Sequence, residues 1–128
     1  MKDTFSQATA RLFRLRDPRI RIKGFAQEVR KIAAEYDAEI DAEEWKSLRP
    51  SFIPDAYLID KDRFEVIMYE IEDTHMLKME KMHKIVDLFL YLDSFFWRLK
   101  LIVTDRYGEN QRELPIFDWS MSLDVKDA

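Results

Sequence analysis

The stretch SFIPDAYLIDKDRFEVIMYEIED, residues 51–73, contains two extended runs separated by a charged tetrapeptide, and the rest of the chain can be arranged around it. Phe52 to Ile59 and Phe64 to Glu72 both have the β-branched and aromatic content of strands, and Asp60-Lys61-Asp62-Arg63 is short enough to join them as an antiparallel hairpin. The second run is apolar on both faces. Phe64, Val66 and Met68 fall on one side and Ile67, Tyr69 and Ile71 on the other, as expected of a central strand covered above and below.

Downstream, Asp73 or Thr74 can cap a helix running to about Trp97, with a buried stripe of Met82, Ile85, Phe89, Leu92 and Phe96. Leu99 to Thr104 is a further strand. A strand, a long helix and a strand favour a crossover with parallel pairing. Tyr107-Gly108-Glu109-Asn110 is a turn, and Ile116 to Trp119 reads as an edge strand.

Upstream, Thr4 and Gln7 form a capping box before a helix striped by Phe5, Ala8, Leu12 and Leu15, which Asp17-Pro18 ends. Arg19, Arg21 and Lys23 alternate with Ile20 and Ile22, the period of an extended arm with one basic face. Gly24 permits a change of direction. Phe25, Val29, Ile32 and Tyr36 then mark a helix over about 25–37, followed by a short one with its own capping box at Asp41 and Glu44, stopped by Arg49-Pro50. The expected architecture is α/β (α+β): a mixed sheet with an antiparallel hairpin and a βαβ crossover, flanked by helices. It forms one domain, with a basic helix and arm at 1–23, a core at 25–104 and an extension at 105–128.

Composition narrows the function. With 128 residues, 47% hydrophobic, 2 glycines and 4 prolines, the chain is neither fibrous nor disordered. With 0 cysteines it has no disulfide, thiolate metal site or thiol nucleophile. No apolar run approaches the roughly 20 residues that span a bilayer, and no basic-then-apolar leader opens the chain, so a cytoplasmic protein is expected. The net charge of -4 is segregated: residues 1–31 carry 9 basic and 3 acidic side chains, 32–75 carry 4 and 13, and 76–128 carry 8 and 9. A basic arm on an acidic body suits a protein that grips phosphate with one part and a divalent cation with another.

The acids of the hairpin have the spacing for that. Glu70 and Glu72, two apart on a strand, share the face of Met68 and Val66. With an even-numbered loop, Asp60 lies opposite Arg63 and Asp55 opposite Met68, which sets Asp55 on the same face and diagonal to Glu70. Converging carboxylates next to an apolar surface need either solvent or a cation, and a hard divalent ion with oxygen ligands is the natural one.

Ile53-Pro54-Asp55 on one strand and Tyr69-Glu70-Ile71-Glu72 on the next, followed by a long helix and a strand, resembles the PD-(D/E)xK nuclease superfamily over roughly residues 25–104. The resemblance implies a restriction-endonuclease-like core and a nuclease that hydrolyses phosphodiesters of nucleic acid, DNA being favoured, with Mg²⁺ or Mn²⁺. It implies metal ligation by Asp55, Glu70 and the main-chain carbonyl of Ile71, with Glu72 as a second ligand or general base. Glu72 stands where the family usually has lysine. Restriction endonucleases of the superfamily with Glu at this point exist, and so does migration of the lysine to another element. Lys78, one turn before Met82, and Lys81, flanking the same helix face, are the candidates for stabilising the phosphate charge. The family core also has a strand between the second helix and Phe52, for which the sequence gives only weak evidence.

Further candidates surround this motif. Arg11, Arg14, Arg16, Arg19, Arg21 and Lys23 are the expected phosphate contacts. Glu28 borders the stripe of its helix and is a candidate accessory metal ligand, and His75 is a candidate acid or phosphate contact. His83 is expected on the polar side of its helix, and Tyr91, Phe95 and Trp97 in the packing. A homodimer is compatible with the size. The alternative function is a nuclease-like module without catalysis that binds nucleic acid or a protein.

Overall fold

The computed structural model describes residues 17–36, 53–71, 79–105 and 109–127. The hairpin is formed by β1 (Ala56–Asp60) and β2 (Glu65–Ile71), paired antiparallel with Tyr57 opposite Met68 and Asp60 opposite Glu65. This register differs by two residues from the expected one, because the loop is the four residues 61–64 rather than two. The Asp60 carboxylate causes the difference: its Oδ1 accepts the backbone N–H groups of Asp62 (3.1 Å) and Arg63 (3.2 Å), which holds a wider turn. Phe64 closes it at φ 52°. A slip of two preserves which side chains share a face.

Helix α2 (Met79–Asp93) carries the chain over to β3 (Arg98–Thr104), which pairs parallel to β2 with Met68 beside Leu101. The helix stops four residues before the expected Trp97. The Phe96 N–H donates to the Asp93 carbonyl (2.9 Å) and the Trp97 N–H to the Leu92 carbonyl (3.1 Å), with Phe96 at φ 65°. This is a left-handed helix end, in a position that usually selects glycine. It buries Trp97 and turns Phe96 outward at 89% exposure, so Phe96 leaves the stripe assigned to it while Ile85, Val86, Leu88, Tyr91 and Leu92 are buried.

The tail corrects a second expectation. The strand there is β4 (Arg112–Leu114), antiparallel to β3, and Ile116 begins helix α3 (Ile116–Asp127) instead of an edge strand. Pro115 explains the switch, since it has no N–H for a ladder while its carbonyl accepts the Trp119 N–H (3.1 Å) in the first helical turn.

Among the described residues the sheet therefore runs β1-β2-β3-β4, an α+β arrangement with three helices. Helix α1 (Phe25–Tyr36) joins α2 and α3 on one core: Phe25, Val29 and Ile32 meet Tyr57, Val66, Met68, Leu99, Leu101 and Ile116. Full burial of each large apolar side chain there contributes about 1.5–3 kcal/mol. The opposite face has a smaller cluster of Ile20, Ala56, Leu58 and Ile71, edged by Ile22, Ile67 and Tyr69. Central β2 is thus packed on both sides, as its composition requires.

The arm lies along the outer edge of β1. Arg21 and Tyr57 exchange both backbone hydrogen bonds (2.8 and 2.9 Å) in an antiparallel bridge, with Ile20 buried and Arg19, Arg21 and Lys23 exposed, so the period-two reading holds. Gly24, at φ 83°, then turns the chain into α1, and the Tyr57 hydroxyl donates to the Lys23 carbonyl (2.5 Å) beneath that turn. No helix among the described residues is long and apolar enough to cross a membrane.

Candidate functional site

The end of β2 beside the start of α2 gathers the charged residues that the sequence singles out. Asp55 precedes the Ala56–Tyr69 pair that ends the β1–β2 ladder, outside the regular register that would set it diagonal to Glu70. Asp55 is anchored twice at this edge: its N–H donates to the Tyr69 carbonyl (3.1 Å), and its Oδ2 accepts the Ile71 N–H (2.8 Å). The half-buried carboxylate therefore caps the end of β2, ordered by the strand that carries Glu70.

Glu70 points to the helix-covered side with Val66 and Met68, and its side chain is only 4% exposed. Lys81, in the first turn of α2, reaches down to it with Nζ 3.0 Å from Oε2. The ammonium's side chain is 37% exposed. An ionised carboxylate this deeply buried requires a cation or several donors, and the pair satisfies that requirement across two layers of the fold. Of the two lysines singled out as candidates, Lys81 is the one seen on the acid; Lys78 lies outside the described residues, as do Glu72, His75, Arg11, Arg14 and Arg16.

The remaining candidates lie elsewhere. Glu28 binds Arg21 (Oε1 to Nη1, 2.9 Å) and Lys31 (3.4 Å), so its described contacts tie α1 to the arm rather than to Glu70. Arg19 is held by Asp17 in a two-pronged contact (3.1 and 2.9 Å) and approaches Asp60 (3.9 Å). Two of the arm's described cations are thus engaged by nearby acids. Arg19 hydrogen-bonded to Asp17 holds that carboxyl below its usual value, and Asp17 in turn raises Arg19. His83 is half-buried on α2, not on a fully solvated face. Tyr91 and Phe95 meet edge to face at 5.2 Å, and Trp97 does so with Phe64 at 5.5 Å, which are packing contacts.

Three features escaped the sequence reading. Glu65 is buried on the opposite face with Lys100 Nζ at 3.3 Å; a glutamate inside a strand apolar on both faces was the available signal. Asp105, just past β3, accepts the Glu109 N–H (3.1 Å) and the Asn110 amide (2.6 Å), which ties these two residues to the end of β3. A cleft of about 430 Å³ opens at the start of α1, lined by Gly24, Phe25, Ala26, Gln27, Arg30 and Ile53, the last of these two residues before Asp55.

Chemically, the Asp55–Glu70 edge offers hard oxygen donors and one ammonium. Among the described residues no three acidic or histidine side chains form a group that could hold a metal ion, and the third expected acid, Glu72, lies outside them. No protein-family model, curated protein or solved structure matches the chain.

Proposed function

We propose that this chain is a divalent-cation-dependent nuclease of PD-(D/E)xK type, with a restriction-endonuclease-like core, acting on nucleic acid and on DNA in preference. The observation that carries the reading is Lys81 on Glu70 at 3.0 Å, at the end of β2 where the Ile71 N–H also holds the Asp55 carboxylate: a lysine supplied from the next helix would stand in for the displaced motif lysine.

The donor set suits a hard cation, because Asp55 and Glu70 offer carboxylate oxygens at an edge where buried negative charge needs compensation. Asp55, Glu70, the Ile71 carbonyl and Glu72 would hold Mg²⁺ or Mn²⁺. Bound there, the ion supplies Lewis acidity at a phosphate oxygen and lowers the pKa of a coordinated water. The chain's own part is positional. The Ile71 N–H fixes the Asp55 carboxylate, the apolar surface around Val66 and Met68 limits water at Glu70, and the Lys81 ammonium stabilises charge developing on the phosphate. Lys23 and the arm's arginines would contribute phosphate contacts.

A second reading has its own observation. Asp55 is hydrogen-bonded to backbone and Glu70 is paired to Lys81, so both acids have partners without a metal, as in a nuclease-like module that binds nucleic acid or protein without cutting. Titration of Mg²⁺ and Mn²⁺, read by thermal stability and by cleavage of single-stranded, duplex and branched DNA, separates the two. The nuclease is expected to gain stability with metal and to cut. Binding to nucleic acid with no metal response and no cutting would establish the module.

A further inference from the structure

We infer that the cleft at the start of α1 is a nucleotide subsite: it takes one nucleotide of a bound strand, with the base against Ile53 and Ala26 and a phosphate on Arg30. This rests on the nucleic-acid binding that both readings above share, and it adds where a strand is held; it needs neither a metal nor cleavage. The cleft, at about 430 Å³, falls within the roughly 300–1,000 Å³ of sites that hold small ligands. Two residues of chain span at most about 7 Å, so the Ile53 wall stands within the order of one nucleotide of Asp55.

The lining has the three chemistries that a nucleotide asks for. Ile53 is 75% exposed and gives an apolar wall, while Phe25 beneath it is buried with its ring edge to face on Tyr57 at 5.1 Å, so the floor is firm. Gln27 lies over Gly24, its Oε1 3.7 Å from where a Cβ would stand, and an amide both donates to and accepts from a base edge. Arg30 is the one charged side chain among the described residues of the lining, which makes the cleft complementary to a phosphate. A guanidinium carries five donors, so it can take a phosphate oxygen beside the interaction it already has. Lys23, exposed on the arm just before Gly24, extends the positive charge toward the cleft.

The test is binding of a labelled single-stranded oligodeoxynucleotide to the full chain in EDTA, read by fluorescence anisotropy, so that no metal and no cutting enter. Arg30→Gln is expected to weaken binding about five- to tenfold and to lower the salt dependence by about one phosphate contact. Ile53→Ala removes apolar wall without charge, and is expected to weaken binding about three- to fivefold with the salt dependence unchanged. Both positions are exposed, so the unfolding midpoints should stay at the native value. Arg112→Gln, an exposed arginine on β4 at the opposite edge of the sheet, is the control and should change affinity less than about twofold. Deoxyadenosine monophosphate as competitor separates the sources of the ligand: displacement that disappears in Arg30→Gln supports a cleft that also takes free nucleotide, and no displacement supports one filled only by a strand. If Arg30→Gln and Ile53→Ala bind the oligonucleotide as tightly as the native chain, or no more weakly than Arg112→Gln, the inference fails and the nucleic-acid reading survives. If the native chain binds no oligonucleotide, both fall.

Discussion

The two ends of β2 carry the same chemical pair in different settings. At its start, Glu65 is buried with Lys100 at 3.3 Å; at its end, Glu70 is buried with Lys81 at 3.0 Å. Lys100 comes from the adjacent strand on the same sheet face, two positions along from the residue paired to Glu65, so the sheet ladder itself fixes the contact. Lys81 comes from a helix, across a layer. Around Glu65 the neighbours close turns and pack: Asp60 caps the hairpin loop, Phe64 lies against Trp97, and the Phe64 carbonyl accepts the Arg98 N–H (2.8 Å). A buried salt bridge alone is therefore no sign of a site. What distinguishes the Glu70 end is that its lysine comes from a helix rather than from the sheet, and that a second acid, Asp55, is held on the β2 backbone one residue further on.

The largest expected effect separates the two glutamates directly. Glu70→Gln should lower metal-dependent cleavage about 100-fold or more, as loss of a metal ligand does, while Glu65→Gln should leave it within about twofold. Equal losses in both, measured in single-turnover assays, would dissolve the distinction.

The lysines come next. Each is partly solvated over a nearly buried glutamate, so Lys81→Gln and Lys100→Gln should cost a similar 1–3 kcal/mol in urea unfolding, below the 3–5 kcal/mol typical of fully buried pairs. The metal response should differ: Mg²⁺ should restore stability to Lys81→Gln and not to Lys100→Gln. Restoration of both would place the cation elsewhere.

A smaller effect belongs to the packing end alone. Phe96 holds φ 65° at a helix end with its ring 89% exposed, so the ring contributes little burial against a backbone penalty. Phe96→Gly should raise stability by about 0.5–1 kcal/mol without altering cleavage. A loss of stability would show that the ring packs more than its exposure indicates.

The smallest effect depends on pH. Burial pushes the phenols of Tyr57 and Tyr69 above the ordinary value of 10.0; nearby acids, Glu28 for the first and Asp17 and then Glu65 for the second, act the same way, against Arg21 and Arg19. A raised folded value means that the contribution is complete below pH 10 and is lost as pH rises from there through the folded value. Thermal stability of the native chain should therefore decline above pH 10, and less so in Tyr57→Phe. An identical decline in that variant would remove Tyr57 from the explanation.

Much of this was legible in the sequence where pattern alone decides. The two-sided apolar run from Val66 to Ile71 marked a central strand, the alternation at 19–23 marked an extended arm with one basic face, and the helix between two strands favoured parallel pairing. Because the register error was a whole period of two, the faces of β1 and β2 were still assigned as read. The failures are places where one contact outweighed a pattern. The Asp60 carboxylate widened the turn, Pro115 converted a short apolar run into a helix, and a left-handed helix end exchanged Phe96 for Trp97 in the core. Glu28 sat at the correct border of its stripe, yet Arg21 and Lys31 offered nearer partners than the acid site. The Glu65–Lys100 pair depended on strand register between segments more than thirty residues apart, which periodicity does not encode.

The most direct test of the central claim counts divalent ions. Equilibrium dialysis of the full chain against Mn²⁺ should give one saturable site per chain, lost in Asp55→Asn and in Glu70→Gln and retained in Glu65→Gln. A site that persists in Asp55→Asn and Glu70→Gln, or no saturable site in the native chain, would contradict it.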